Sequence, residues 1–110
     1  MNSVVRAALI QTTGIQPVEA MLDRQSSLLR EAAAKGAQIT CLQELSTGPY
    51  FCQTEDPKWF DIAEEVPNGP TTQTMVELAK ELEMVLVVPL FEKADGFYYN
   101  TAVVIDSDGS

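Results

Sequence analysis

Apolar positions in residues 4–11 form a short, nearly continuous run, as in a strand buried on both faces. From residue 17 to 35 the pattern changes, and Val18, Met21, Leu22, Leu29, Ala32 and Ala33 recur at helical spacing. Pro17 suits a first helical turn and Gly36 a C-terminal cap, so this stretch reads as one amphipathic helix. Residues 38–43 form a second strand, which completes a β-α-β unit with parallel strands and a right-handed crossover. Residues 45–68 carry Gly48, Pro49, Pro57 and Pro67 among Tyr50, Phe51, Trp59 and Phe60. That composition predicts a long connection with one short helical turn near residues 58–63, and connections of this length are commonly functional or mobile. Pro70 opens a second helix in which Met75, Leu78, Ala79 and Leu82 fall at i, i+3, i+4 and i+7; it ends near Glu83. Residues 85–91 make a third buried strand, and the Ala94-Asp95-Gly96 turn leads into a fourth over residues 98–106. The chain is therefore α/β, in the order β-α-β-α-β-β, with no internal repeat, linker or low-complexity tract.

Ser107-Asp108-Gly109 follows the β-branched last strand as a hairpin signal, and the returning strand is not in the sequence. Residues 1–110 thus read as the incomplete N-terminal part of a larger domain. A last strand carrying Ala102, Val103, Val104 and Ile105 without its partner offers an open edge, and half a core leaves apolar surface bare. Self-association of the 110-residue polypeptide is the expectation.

Composition narrows the function classes. With 45% hydrophobic and 21% charged residues the chain is globular, and 110 residues make one domain or less. Seven Lys and Arg against 16 Asp and Glu give a net charge of -9, which argues against nucleic acid and against an anionic membrane surface. Nothing approaches the ~20 apolar residues of a membrane span, and residues 4–10 are too short for a signal-peptide core and include Arg6, so a cytoplasmic chain is expected. Cys41 and Cys52 have neither the spacing of a zinc or redox motif nor the density of a disulfide scaffold. The chain has no His, which removes histidine-based catalysis and most transition-metal sites. A small doubly wound binding domain is also considered, but Gln11-Thr12-Thr13-Gly14 has neither a dinucleotide nor a P-loop glycine pattern. No cofactor and no metal are expected, and a general base must be a carboxylate, Lys, Tyr or Cys.

Ligands of open α/β sheets gather beyond the carboxyl ends of parallel strands, and Glu44 stands at that end of the second strand. A strand-end Glu is more often a plain surface carboxylate. Here the loop Thr47-Gly48-Pro49-Tyr50-Phe51-Cys52 follows it, rich in aromatics and turn residues and suited to a cavity wall.

Several ordered stretches carry a resemblance. They are Val5-Arg6-Ala7-Ala8-Leu9-Ile10-Gln11, Ile39-Thr40-Cys41-Leu42-Gln43-Glu44-Leu45, Pro49-Tyr50-Phe51-Cys52-Gln53, Asn68-Gly69-Pro70-Thr71-Thr72, Pro89-Leu90-Phe91-Glu92-Lys93, and the run from Tyr99-Asn100-Thr101 through Asp108-Gly109. Together they resemble the N-terminal part of the nitrilase superfamily of carbon-nitrogen hydrolases. The loop at Pro49 is similar to the branch of N-carbamoylputrescine amidase and β-ureidopropionase, which acts on N-carbamoyl amines.

The resemblance implies the N-terminal portion of an α-β-β-α sandwich and a small-molecule amide or N-carbamoyl amine as substrate. It also implies a Glu-Lys-Cys mechanism, in which Glu takes the thiol proton, Cys forms a thioester and Lys stabilises the oxyanion. Glu44 matches the Glu. The Lys and the nucleophilic Cys of the family come after the Asp-Gly hairpin, so this chain alone is expected to be inactive. A base at a rigid strand end, beside aromatics that exclude water, would have its charged form disfavoured.

Local substitutes are weak. Strand alternation sets Cys41 on the face opposite Glu44 as a small core residue, and no strand-to-helix elbow presents Cys52 as a nucleophile. Lys93 reads as a solvated turn residue, Glu92 as either a supporting or an exposed carboxylate, and Asn100 as an amide that satisfies nearby backbone. Tyr50, Phe51 and Trp59 are candidate substrate contacts, with core packing or a subunit contact the competing role. The alternative to a hydrolase fragment is a non-catalytic, truncated α/β subunit that binds a partner chain.

Overall fold

A computed structural model describes residues 4–110. The elements run β1 (Ala7–Leu9), α1 (Val18–Ala34), β2 (Ile39–Cys41), a 3-10 helix (Pro57–Ile62), α2 (Pro70–Leu82), β3 (Val85–Ala94) and β4 (Phe97–Ile105). They build one four-stranded sheet in the order β1-β2-β3-β4. β1, β2 and β3 are parallel, and β4 returns antiparallel to β3.

Helix ends follow their residues. Gly36 takes a φ of +91° after α1, which lets its N–H and that of Ala37 reach the carbonyls of Ala33 and Ala32 at 2.9 and 3.1 Å. Pro70 occupies the first turn of α2, where its missing N–H is no loss. Asp95 and Gly96, both at positive φ, make the two-residue loop between β3 and β4, as expected for an Asp-Gly hairpin.

Both helices lie on one face of the sheet. Leu22 and Leu29 of α1 and Met75, Leu78 and Ala79 of α2 share a core with Leu42, Leu86, Val88, Leu90 and Ile105. Each fully buried aliphatic side chain in it contributes roughly 1.5–3 kcal/mol. The exposed ion pair of Arg30 with Glu81 ties α1 to α2 and adds little to that. No helix among the described residues is long and apolar enough to cross a membrane.

The other face carries no α-helix, and the 3-10 helix touches it only at its far end, where Phe60 meets Phe91 and Tyr98. Register places Leu9, Cys41, Val87 and Val104 in one row across it, and the row's ends stay open, Leu9 at 83% and Val104 at 65% exposure. This corrects the expectation for the first strand, which is three residues long rather than eight and is not buried on both faces. β1 is an edge strand beside β2 alone, and an apolar run records that a strand is to be covered without recording what covers it.

We propose that residues 1–110, expressed alone, self-associate through this face and the open edge of β4. Light scattering is expected to show oligomers, and Leu9→Lys with Val104→Lys should lower their mass by setting two charges in the row. A wild-type polypeptide that runs as a compact monomer would refute this.

Candidate functional site

The site begins where β2 stops. After Cys41, Leu42 N–H still donates to Val87 O at 3.0 Å, and the chain then turns. Leu45 takes the turn at a φ of +49°, a left-handed conformation that costs a non-glycine residue about 1–3 kcal/mol. Its side chain is buried against Ala63 and Phe91, a gain of similar size, ~1.5–3 kcal/mol. Ser46 fastens the far side, its N–H and hydroxyl both donating to Pro89 O at 3.0 and 2.6 Å. Gln25 of α1, fully buried, donates its amide to Ser46 O from behind.

This turn sends Glu44 outward at the carboxyl end of β2, over the helix-free face. Its Oε2 accepts a hydrogen bond from Asn100 Nδ2 at 3.3 Å, and Asn100 stands on β4 directly opposite Phe91 of β3. Glu44 is exposed, so the exclusion of water expected around it is not supplied by this stretch. The face argument for Cys41 also needs correction. Alternation runs only to Cys41, where the strand ends, and Cys41 is half-buried on the same helix-free face towards which Glu44 turns.

Tyr50 and Cys52 complete the group. The Tyr50 phenol is held above its ordinary value of 10.0, first by the charge of and hydrogen bond with Cys52, then by the Glu44 carboxylate. Negative neighbours disfavour a phenolate. Cys52 is exposed and lines a cavity of about 440 Å³ together with Phe51, Pro57, Trp59, Phe60 and Phe91. Phe51 stacks on Trp59 with centroids 5.6 Å apart and leans on Phe91 at 4.9 Å, while Phe60 meets Tyr98 at 4.5 Å. Lys58 sits 5.0 Å over the Trp59 ring. The chain thus brings together Glu44, Asn100, Tyr50, Phe51, Cys52 and Trp59.

Two candidates fall elsewhere. Glu92 points to the helix side, where Thr101 Oγ1 donates to it at 2.7 Å, and Lys93 is exposed, its N–H given to Glu64 O at 2.8 Å. Among the described residues no group of three His, Cys, Asp or Glu is gathered to hold a metal ion. Sequence reading missed Ser46 and Gln25. Gln25 left a signal, a polar residue between Met21, Leu22 and Leu29 in the apolar stripe of α1.

Comparison with known proteins decides the family. The carbon-nitrogen hydrolase family model matches residues 6–110. The chain belongs to the carbon-nitrogen hydrolase family. An N-carbamoylputrescine amidase of Solanum lycopersicum is 38% identical over 99% of this chain and 36% of its own length. A beta-ureidopropionase of Arabidopsis thaliana is 34% identical over 97% of this chain and 29% of its own. The crystal structure of a carbon-nitrogen hydrolase from Helicobacter pylori G27 superposes with a TM-score of 0.87 at 35% identity, covering 96% of this chain and 36% of that one. The chain therefore spans roughly a third of the length of these family members, and the fold is the N-terminal portion of theirs.

The Tyr50 arrangement is testable. Cys52→Ala removes the largest cause of the raised value, so Tyr50 should titrate closer to 10.0 in that variant. Phenolate absorbance, taken as the difference from a Tyr50→Phe background, measures it. An unchanged midpoint would show that the thiol does not face the phenol.

Proposed function

We propose that this chain supplies the general-base part of a hydrolase that cleaves the carbon-nitrogen bond of linear amides or N-carbamoyl amines. Glu44 is the base, and Tyr50 and Phe51 contact the substrate. The observation that carries the reading is the carboxylate of Glu44 held at the carboxyl end of a parallel strand by Asn100, beside Tyr50 and an aromatic cavity. The N-carbamoyl branch is favoured by the names of the relatives, an N-carbamoylputrescine amidase and a beta-ureidopropionase.

In this reading Glu44 takes the proton of a thiol, the sulfur bonds to the carbonyl carbon, and a lysine steadies the oxyanion. The proton then passes from Glu44 to the departing nitrogen, which leaves as the amine. Water, deprotonated by Glu44 in turn, cleaves the thioester. The resemblance puts that Lys and Cys after Gly109. Asn100 orients the carboxylate, and the cavity at Phe51 takes the part of the substrate that does not react.

A second reading is a non-catalytic subunit, and one observation favours it: the row of apolar side chains from Leu9 to Val104, open on the helix-free face, suits a partner chain.

Glu44→Gln in the complete protein keeps the shape and removes the base, so the hydrolysis rate is expected to fall roughly 10²-fold or more. A folded variant with near-wild-type rate would leave Glu44 a plain strand-end carboxylate. Residues 1–110 alone are expected to release no ammonia from an N-carbamoyl amine. Turnover that appears there and disappears with Cys52→Ala would make Cys52 a nucleophile.

A further inference from the structure

Glu64 is a carboxylate with 7% exposure that has no part in the chemistry proposed above. Both of its oxygens are engaged by one residue: Thr71 donates its N–H to Oε1 at 2.7 Å and its hydroxyl to Oε2 at 2.5 Å. Thr71 follows Pro70 at the start of α2, and because Pro70 has no N–H, Thr71 offers the first free donor of the helix. A carboxylate at that end is also favoured by the helix dipole. Gly69 makes the approach possible, since a Cβ there would lie 2.8 Å from Glu64 Oε1 and 2.9 Å from its Cβ.

The main chain of Glu64 is fastened as well. Its N–H donates to Phe91 O at 2.9 Å and its carbonyl accepts from Lys93 N–H at 2.8 Å, a single parallel bridge against Glu92. Immediately before it, Ala63 is buried against Leu45 and Phe91, and Ile62 packs on the same cluster. Just upstream, in the Pro57–Ile62 helix, lie Trp59 and Phe60, the outer wall of the aromatic cavity.

We infer that Glu64 is a positioning residue for this wall. It clamps the end of the Pro57–Ile62 helix between the start of α2 and the end of β3, and so sets where Trp59 and Phe60 stand against Phe51 and Phe91. The clamp itself stands on geometry; that the wall holds substrate rests on the function proposed above. Without Glu64, Thr71, fully buried, keeps an N–H and a hydroxyl with no acceptor, and residue 64 loses its side-chain tie to α2, keeping its backbone bridge to β3 and the packing of Ala63 and Ile62.

Trp59 is the single tryptophan of this sequence and reports the wall directly. In the complete protein its signal is isolated by subtracting the spectrum of the matching Trp59→Phe variant. Glu64→Ala is expected to shift Trp59 emission to longer wavelength and to raise its quenching by acrylamide, with helical circular dichroism retained. KM for an N-carbamoyl amine should rise, roughly tenfold, with kcat little changed, because the wall binds ground state and transition state alike. Glu64→Gln should restore Trp59 emission, its carbonyl accepting from Thr71 N–H and its amide donating to the Thr71 hydroxyl. A folded Glu64→Ala protein with unchanged Trp59 emission and quenching overturns the inference. If Glu64→Ala does not fold, Thr71→Val decides, since it removes one of the two side-chain hydrogen bonds: a partial shift supports the clamp and none overturns it. A wild-type protein without hydrolysis would sink the proposed function and leave the Trp59 result standing.

Discussion

The candidate site hangs on one acceptor, the carbonyl of Pro89. In a strand the N–H and C=O of a residue point to the same side, and Pro89 O points towards β2, where it receives both donors of Ser46. The missing N–H of the proline faces that same side, where β2 has already ended at Cys41. A proline inside a central strand would ordinarily break a ladder. Here it breaks none, and the loop that replaces the strand is pinned by what the proline still offers. That pin fixes Ser46, which fixes the left-handed turn at Leu45, which aims Glu44 at Asn100.

The charge of the chain bears on what the site can bind. Under the function proposed above, a net charge of -9 and the Glu44 carboxylate disfavour anions, so a neutral amide or ureido group is the better match. Around the cavity acidic groups prevail: Glu55 and Asp56 line it, and Lys58, over Trp59 and within 3.8 Å of Asp56, offsets one of them. In that reading the aromatic floor of Phe51 and Phe91 contributes area rather than charge, area would hold a substrate equally before and during reaction, and chemistry would be left to the carboxylate end.

Patterns that depend on local periodicity were legible in the sequence. The β-α-β unit, the opening of α2 at Pro70, the Asp95-Gly96 hairpin and the position of Glu44 at a strand end all follow from nearest neighbours along the chain. Patterns that depend on lateral neighbours were not. β1 and β2 shrink to three residues each because a strand lasts only while another strand lies beside it, and apolar runs do not encode that. The face of Cys41 relative to Glu44 is illegible for the same reason, since alternation fails at the first turn residue. Gln25, Ser46 and Glu64 are polar residues whose partners lie 21, 43 and 7 positions away, and only folding shows that each is buried and which atom it meets.

The exposure of Glu44 and the bareness of the sheet face are one condition. Asn100, Phe91 and Tyr98 stand on the same face as Leu9, Cys41, Val87 and Val104, at its far end. A layer laid on that row buries apolar side chains at its centre and, continued along the face, removes water from Glu44 at its end. Under the function proposed above, a Glu44 shielded from water is the setting in which a carboxylate takes a proton from a thiol. The driving force for covering the face is hydrophobic and comes from Leu9 and Val104; the consequence for Glu44 is electrostatic. Under the function proposed above, the base placed by Ser46 and Asn100 would stand in a dry site only when the apolar face is closed.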